Sequence, residues 1–167
     1  LDNRLKFQNL VVGLPTFSKQ KLDSIMEFNF VSIAIATIVP MIVGFVYYHP
    51  QVLGGPWMRA NGFTLESLGN GPKPILYLAA LGLSFLLAMF VCINVTGPGQ
   101  DVAPDGHSYV TFQHGVLHGV LISITVVLPI LGTMSIFERR GWGWVFVNLG
   151  YWMVTLSVMG GILSAWR

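Results

Sequence analysis

Long apolar runs separated by short polar segments dominate this chain. Four of them, near Phe28 to Tyr48, Ile75 to Val95, Gly115 to Phe137 and Trp142 to Trp166, hold no Asp, Glu, Lys or Arg between their end residues. Each is long enough to cross a ~30 Å hydrocarbon core, which takes about 20 helical residues. Lipid offers no partner to an open backbone group, so the runs must be helices rather than open strands. The pattern predicts an all-α membrane protein, a four-transmembrane-helix bundle. Glu138-Arg139-Arg140-Gly141 is so short a connection that helices three and four are expected to be antiparallel neighbours.

Tyr47 and Tyr48 end the first run, Tyr77 opens the second, Trp142 and Trp144 open the fourth and Trp166 closes it, the positions of interfacial anchors. Pro40 and Pro129 lie inside runs and free the carbonyls of Ala36 and Thr125, which allows kinks. The first connection, His49 to Pro74, has Pro and Gly at both ends, a Trp57-Met58-Arg59 segment suited to the interface, and Thr64 placed to cap a short helical turn at Glu66. The second, Thr96 to about Ser108, is rich in turn residues, with two aspartates and no basic residue.

Composition agrees with lipid as the solvent: 53% of the chain is hydrophobic and only 10% charged, and the mean hydropathy is +0.66. Basic residues are scattered, with no patch interleaved with exposed aromatics, so no nucleic-acid partner is expected. The single cysteine, Cys92, excludes an intrachain disulfide, a CxxC pair and a cysteine-based zinc site. Residues 1–25 lack the layout of a signal peptide, and Met26-Glu27 stands where a natural start would, so 1–25 is expected to be an upstream or loosely held extension of a domain running from 26 to 167. Arg59, Lys73, Arg139 and Arg140 lie on the first and third loops, against Arg167 alone on the other side if the chain starts at Met26. That bias puts the termini outside; Arg4, Lys6, Lys19 and Lys21 cancel it if the extension is counted.

The segments YYHPQVLGGPWMRANGFTLESL, FQHGVLHGVLISITVVLP and FERRGWGWVFVNLGYWMVTLSVMGGILSAW, in that order, resemble the bacterial four-helix membrane family catalogued as domain of unknown function 1761. The resemblance covers about Met26 to Arg167. Its most specific parts are the Tyr48-His49-Pro50 exit with Trp57-Met58, and the Phe137-Glu138-Arg139-Arg140 hairpin leading to Asn148-x-Gly150-Tyr151-Trp152; a small polar residue would be expected in place of His49. The resemblance implies a fold and a multi-pass place in the cell inner (plasma) membrane. It supplies no activity and no catalytic residue.

Candidate chemistry centres on His114-x-x-x-His118, since an i, i+4 pair turns two imidazoles to one helix face at the spacing of metal ligands. With Asp101 or Asp105 from the preceding turn, the pair could hold a divalent metal; the Glu of an HExxH motif is missing. Haem is set aside, because His49 and His107 do not offer a facing axial ligand. His118, Thr125, Asn148, Tyr151 and Thr155 are candidates for a polar seam between helices. Gly115, Gly119 and Ser123, Ser157 and Gly161, and Gly160 and Ser164 form small-xxx-small ladders for close packing between spans or between copies in a homo-oligomer. Glu138-Arg139-Arg140 reads as a solvated hairpin, with a lipid headgroup contact as the sharper alternative.

Three functions fit these residues. An accessory or structural bundle with the bilayer as its partner leads, because no run contains Asp, Glu, Lys or Arg. A small permease using the polar seam, or a metal-dependent membrane enzyme at His114 and His118, follows.

Overall fold

The computed structural model describes residues 29–69, 71–96 and 101–166. The expected extension over 1–25, the proposed start at Met26 and the terminal Arg167 lie outside the described residues. Seven α-helical segments occur among them: α1 Phe30–Tyr47, α2 Gly55–Asn61, α3 Leu65–Leu68, α4 Pro74–Val95, α5 Phe112–Ile122, α6 Leu128–Phe137 and α7 Trp142–Ala165. A π-helical turn at Ser123–Val127 joins α5 to α6, so four helices are long and apolar enough to span a membrane: Phe30–Tyr47, Pro74–Val95, Phe112–Phe137 and Trp142–Ala165. No strand forms among the described residues, only a single bridge between Val102 and Ser108.

Local chemistry sets the helix ends. Asn29 Oδ1 accepts from the amides of Val31 and Ser32 and starts α1. Pro74 occupies the first turn of α4, where its missing N–H costs nothing. The third span opens at Phe112 because Thr111 Oγ1 accepts from His114 N. Thr64 and Ser67 form a reciprocal capping box around α3. Pro129 is absorbed by the π turn immediately before it, which supplies the local relief expected where Pro interrupts the helical ladder.

The fourth span is the hub. It packs most extensively against α5 and also contacts α1, α4 and α6. Its crossing with α5 is a backbone contact: a Cβ on Gly115 would sit 1.9 Å from the Gly160 carbonyl oxygen, and one on Gly119 would sit 2.4 Å from that of Leu156. The contacts run in opposite order along the two helices. Ser123 Oγ donates to Gly119 O at 2.8 Å and Ser164 Oγ donates to Tyr109 O at 3.3 Å, so small hydroxyls at the seam are satisfied by backbone. One apolar cluster joins Ile33, Ala36 and Val39 of α1 to Ala88, Val91 and Val95 of α4 and to Leu156, Met159 and Leu163 of α7. A second unites Leu131 with Trp144, Val145 and Leu149 at the other end.

Outward faces are strongly apolar, with Phe45 80% and Phe137 82% exposed. The first loop folds back on the hairpin end of α7. Asn61 Oδ1 accepts from Trp144 Nε1 at 3.0 Å and from Arg140 Nη1 at 3.4 Å, and the Arg140 guanidinium lies 4.8 Å from the Trp144 ring centroid. Arg140 is also paired with Glu138 at 2.5 Å.

Candidate functional site

Two segments far apart in sequence meet at the C-terminal end of the first span. Tyr47 Oη donates to Val147 O at 3.0 Å, Tyr48 Oη donates to Asn148 Oδ1 at 3.4 Å, and Tyr151 Oη donates to Pro40 O at 2.9 Å. The rings of Tyr48 and Tyr151 are 5.1 Å apart, and Trp57 from α2 approaches Tyr48 at 5.2 Å. Asn148 is fixed from its own helix, since Nδ2 donates to Trp144 O at 2.8 Å. Gly150 makes room: an added Cβ would lie 2.3 Å from Tyr47 Oη. Burial raises the acid strength threshold of the Tyr48 phenol well above its usual value, and its neighbours Tyr151 and Tyr47 push the same way, so it stays a neutral donor at ordinary pH.

Beside this cluster a cavity of about 830 Å3 opens between α1, α4 and α7. Pro40, Met41, Gly44, Phe45 and Tyr48 form its first wall, Tyr77, Ala80, Leu83, Ser84 and Leu87 its second, and Tyr151 and Trp152 its third, with Pro72 at the mouth. The volume lies within the ~300–1,000 Å3 of small-molecule sites. From Tyr77 to Leu87 the lining runs ten residues along α4, about 15 Å at 1.5 Å per residue, half the ~30 Å hydrocarbon thickness. Tyr48 and Tyr77 stand at the end near the first loop, the Tyr151 hydroxyl, turned to Pro40 O, and Ser84 lie deeper, and the rest of the lining is apolar.

The residues singled out in the sequence divide among three places. Asn148 and Tyr151 join the tyrosine cluster, while Thr155 is fully buried one turn beyond Tyr151. Thr125 lies on the outer surface, its hydroxyl donating to Leu121 O at 2.7 Å; it falls in the π turn, where the 3.6-residue register that would align it with His118 is broken. His114 and His118 do come together, with ring centroids 4.5 Å apart, and Tyr109 stacks on His114 at 4.8 Å. His114 Nε2 is buried without a hydrogen-bond partner. Asp105 is turned to His107, with 3.0 Å between Oδ2 and Nδ1, and both are largely exposed. Asp101 accepts from Tyr109 N through its backbone carbonyl. Among the described residues no group of three His, Cys, Asp or Glu side chains converges as a metal site would require.

Tyr47 and Tyr48, read from sequence as interfacial anchors, turn inward onto α7. Alternation of anchors and apolar positions carries no sign of this. The signal that could have found it is the pairing of Tyr47 with Gly150, a bulky hydroxyl opposite a residue without a side chain. The two segments that give the family resemblance its specificity, the tyrosine exit and Asn148 to Trp152, are therefore the two halves of one contact.

No curated protein and no solved structure gives a significant match. The family model described as Protein of unknown function (DUF1761) matches residues 31–164, from the first span to the last, and the chain belongs to that family.

Proposed function

We propose that this protein is an accessory membrane bundle, without chemistry of its own, that takes the hydrocarbon part of an amphipathic lipid into the cavity between α1, α4 and α7. The observation that carries the reading is the cavity itself: about 830 Å3, largely apolar, with Tyr48 and Tyr77 at one end and as deep as one leaflet. An empty space of that size beside a bilayer fills with whatever apolar chain fits it, and the rim supplies the few polar groups that orient an occupant. In this reading the protein resides in the cell inner (plasma) membrane with its basic first and third loops inside and its termini outside.

The test is lipid retention. The detergent-purified chain is stripped by repeated washing, and the lipid remaining per protein is counted by mass spectrometry beside Ala80→Trp, which fills the cavity from the exposed wall of α4. About one molecule retained by the wild type and none by the variant is expected. Equal retention by both would remove the cavity from the account.

A further inference from the structure

The cavity reading leaves open what kind of headgroup the occupant carries. Among the described residues, charge is unevenly divided between the two ends of the bundle. The first and third loops hold Arg59, Lys73, Arg139 and Arg140 against Glu66 and Glu138, whereas the described part of the second loop holds Asp101 and Asp105 and no basic residue. The cavity mouth, marked by Tyr48, Pro72 and Tyr77, is at the basic end.

On that end the cations are not equivalent. Arg140 is committed to Glu138, Asn61 and the face of Trp144. Arg139 occupies the hairpin turn in a left-handed conformation, φ 54°. Arg59 belongs to α2, which docks on α7, and neither it nor a sequence neighbour lines the cavity. Lys73 is different. It is exposed, it stands between Pro72, which lines the mouth, and the first turn of α4, and Tyr77 of the lining follows one turn later. No carboxylate pairs with its ammonium among the described residues, which holds for Arg59 and Arg139 as well, so its place beside Pro72 is what sets it apart. Prolines on both sides restrict the backbone that carries it, so its Cα is held next to the mouth by a stiff stretch of chain.

We infer that the occupant is an anionic diacyl phospholipid, with an acyl chain in the cavity and its phosphate-bearing head at Lys73. This rests on the cavity reading and adds the class of ligand to it. An uncompensated ammonium at the level of the headgroups attracts a net negative head and gains little from a zwitterionic one. The hydroxyl of Tyr77, half exposed at the rim, offers a hydrogen-bond donor on the same helix. The apolar depth of about 15 Å matches the hydrocarbon of a single leaflet rather than a molecule that crosses the membrane.

The experiment offers the stripped full-length chain equal amounts of dioleoyl phosphatidylglycerol and dioleoyl phosphatidylcholine at physiological ionic strength, and counts bound lipid by native mass spectrometry. The two probes share their chains and differ in net charge. Wild type is expected to retain the anionic lipid about fivefold better, the electrostatic worth of one basic residue at a headgroup. Lys73→Gln should bring the ratio to about one while still retaining lipid, and Arg59→Gln, which removes a cation of the same end with no sequence neighbour in the cavity lining, should keep the preference. Wild-type parity, a preference that survives Lys73→Gln, or its equal loss in Arg59→Gln would each overturn the assignment to Lys73. Ala80→Trp reads the underlying cavity separately: loss of both lipids supports it, and undiminished binding of both removes it. A wild type that binds neither lipid and flies as a dimer would assign the groove to a second copy of the chain and overturn both readings.

Discussion

Replacing Gly115 with alanine puts the backbone crossing of α5 and α7 to a direct test. The new Cβ would sit 1.9 Å from the carbonyl oxygen of Gly160 and 2.3 Å from its carbon, both backbone atoms that no rotamer change can move. Ordinary contact begins near 3.4 Å, so the helices must part by about 1.5 Å at this point. A gap of 0.5–1 Å already forfeits roughly a quarter to a half of each dispersion contact, and this seam is the most extensive in the bundle. The expected loss is therefore at or above the upper end of the ~1–3 kcal/mol typical of overpacking. The assay is reversible unfolding of the detergent-solubilised protein by titration with SDS, followed by circular dichroism. Gly82→Ala and Gly132→Ala are the controls, since neither added Cβ meets anything within 4 Å. Those should be neutral or stabilising by up to about 1 kcal/mol, from helix propensity alone. If Gly115→Ala unfolds at the same midpoint as the controls, the close crossing is wrong.

Gly150→Ala should cost about 1 kcal/mol by pushing Tyr47 Oη off Val147 O, and in a double-mutant cycle with Tyr47→Phe the two losses should fall short of additive by at least half of that. Asn61→Ala strips the acceptor from Trp144 Nε1 and Arg140 and should raise the rate of tryptic cleavage at Arg59 severalfold with the spans still folded; an unchanged rate would mean that the loop is held by something else. Because the Tyr48 phenol ionises above its unfolded value of about 10, the unfolded chain loses that proton first. The contribution of Tyr48 to stability is then flat below about pH 10 and is lost as pH rises past it, and Tyr48→Phe should shallow the alkaline fall in stability. Elemental analysis beside His118→Ala should give the same metal content in both proteins; near-stoichiometric metal that vanishes in the variant would instead assign the adjoining imidazoles to a metal centre.

The four spans were legible because hydrocarbon solvent leaves the backbone one solution, and uninterrupted apolar runs such as Ile75 to Val95 state it openly. The glycine ladders were legible for a related reason: Gly115, Gly119 and Gly160 cannot be placed on the lipid side with any gain, and the structure sets them backbone to backbone. What the chain concealed was partnership across long separations. Nothing local to Tyr48 points to Asn148, 100 residues away, and nothing local to Asn61 points to Trp144. The cavity was equally hidden, because a void is the absence of side chains from three helices at once. Thr125 fell outside the expected seam because a π turn breaks the register on which face assignments depend, and an SITVV string does not announce one.

The glycine crossing also bears on how the molecule is put together. The last two spans are joined by a four-residue hairpin and lock through backbone contact, so they can assemble as a rigid pair at almost no entropic expense of closure. The first two spans meet the rest through the side chains of one apolar cluster instead. The cavity lies along that side-chain seam. A lipid of the kind proposed would therefore enter and leave by parting side chains, with the backbone crossing of the last two spans untouched.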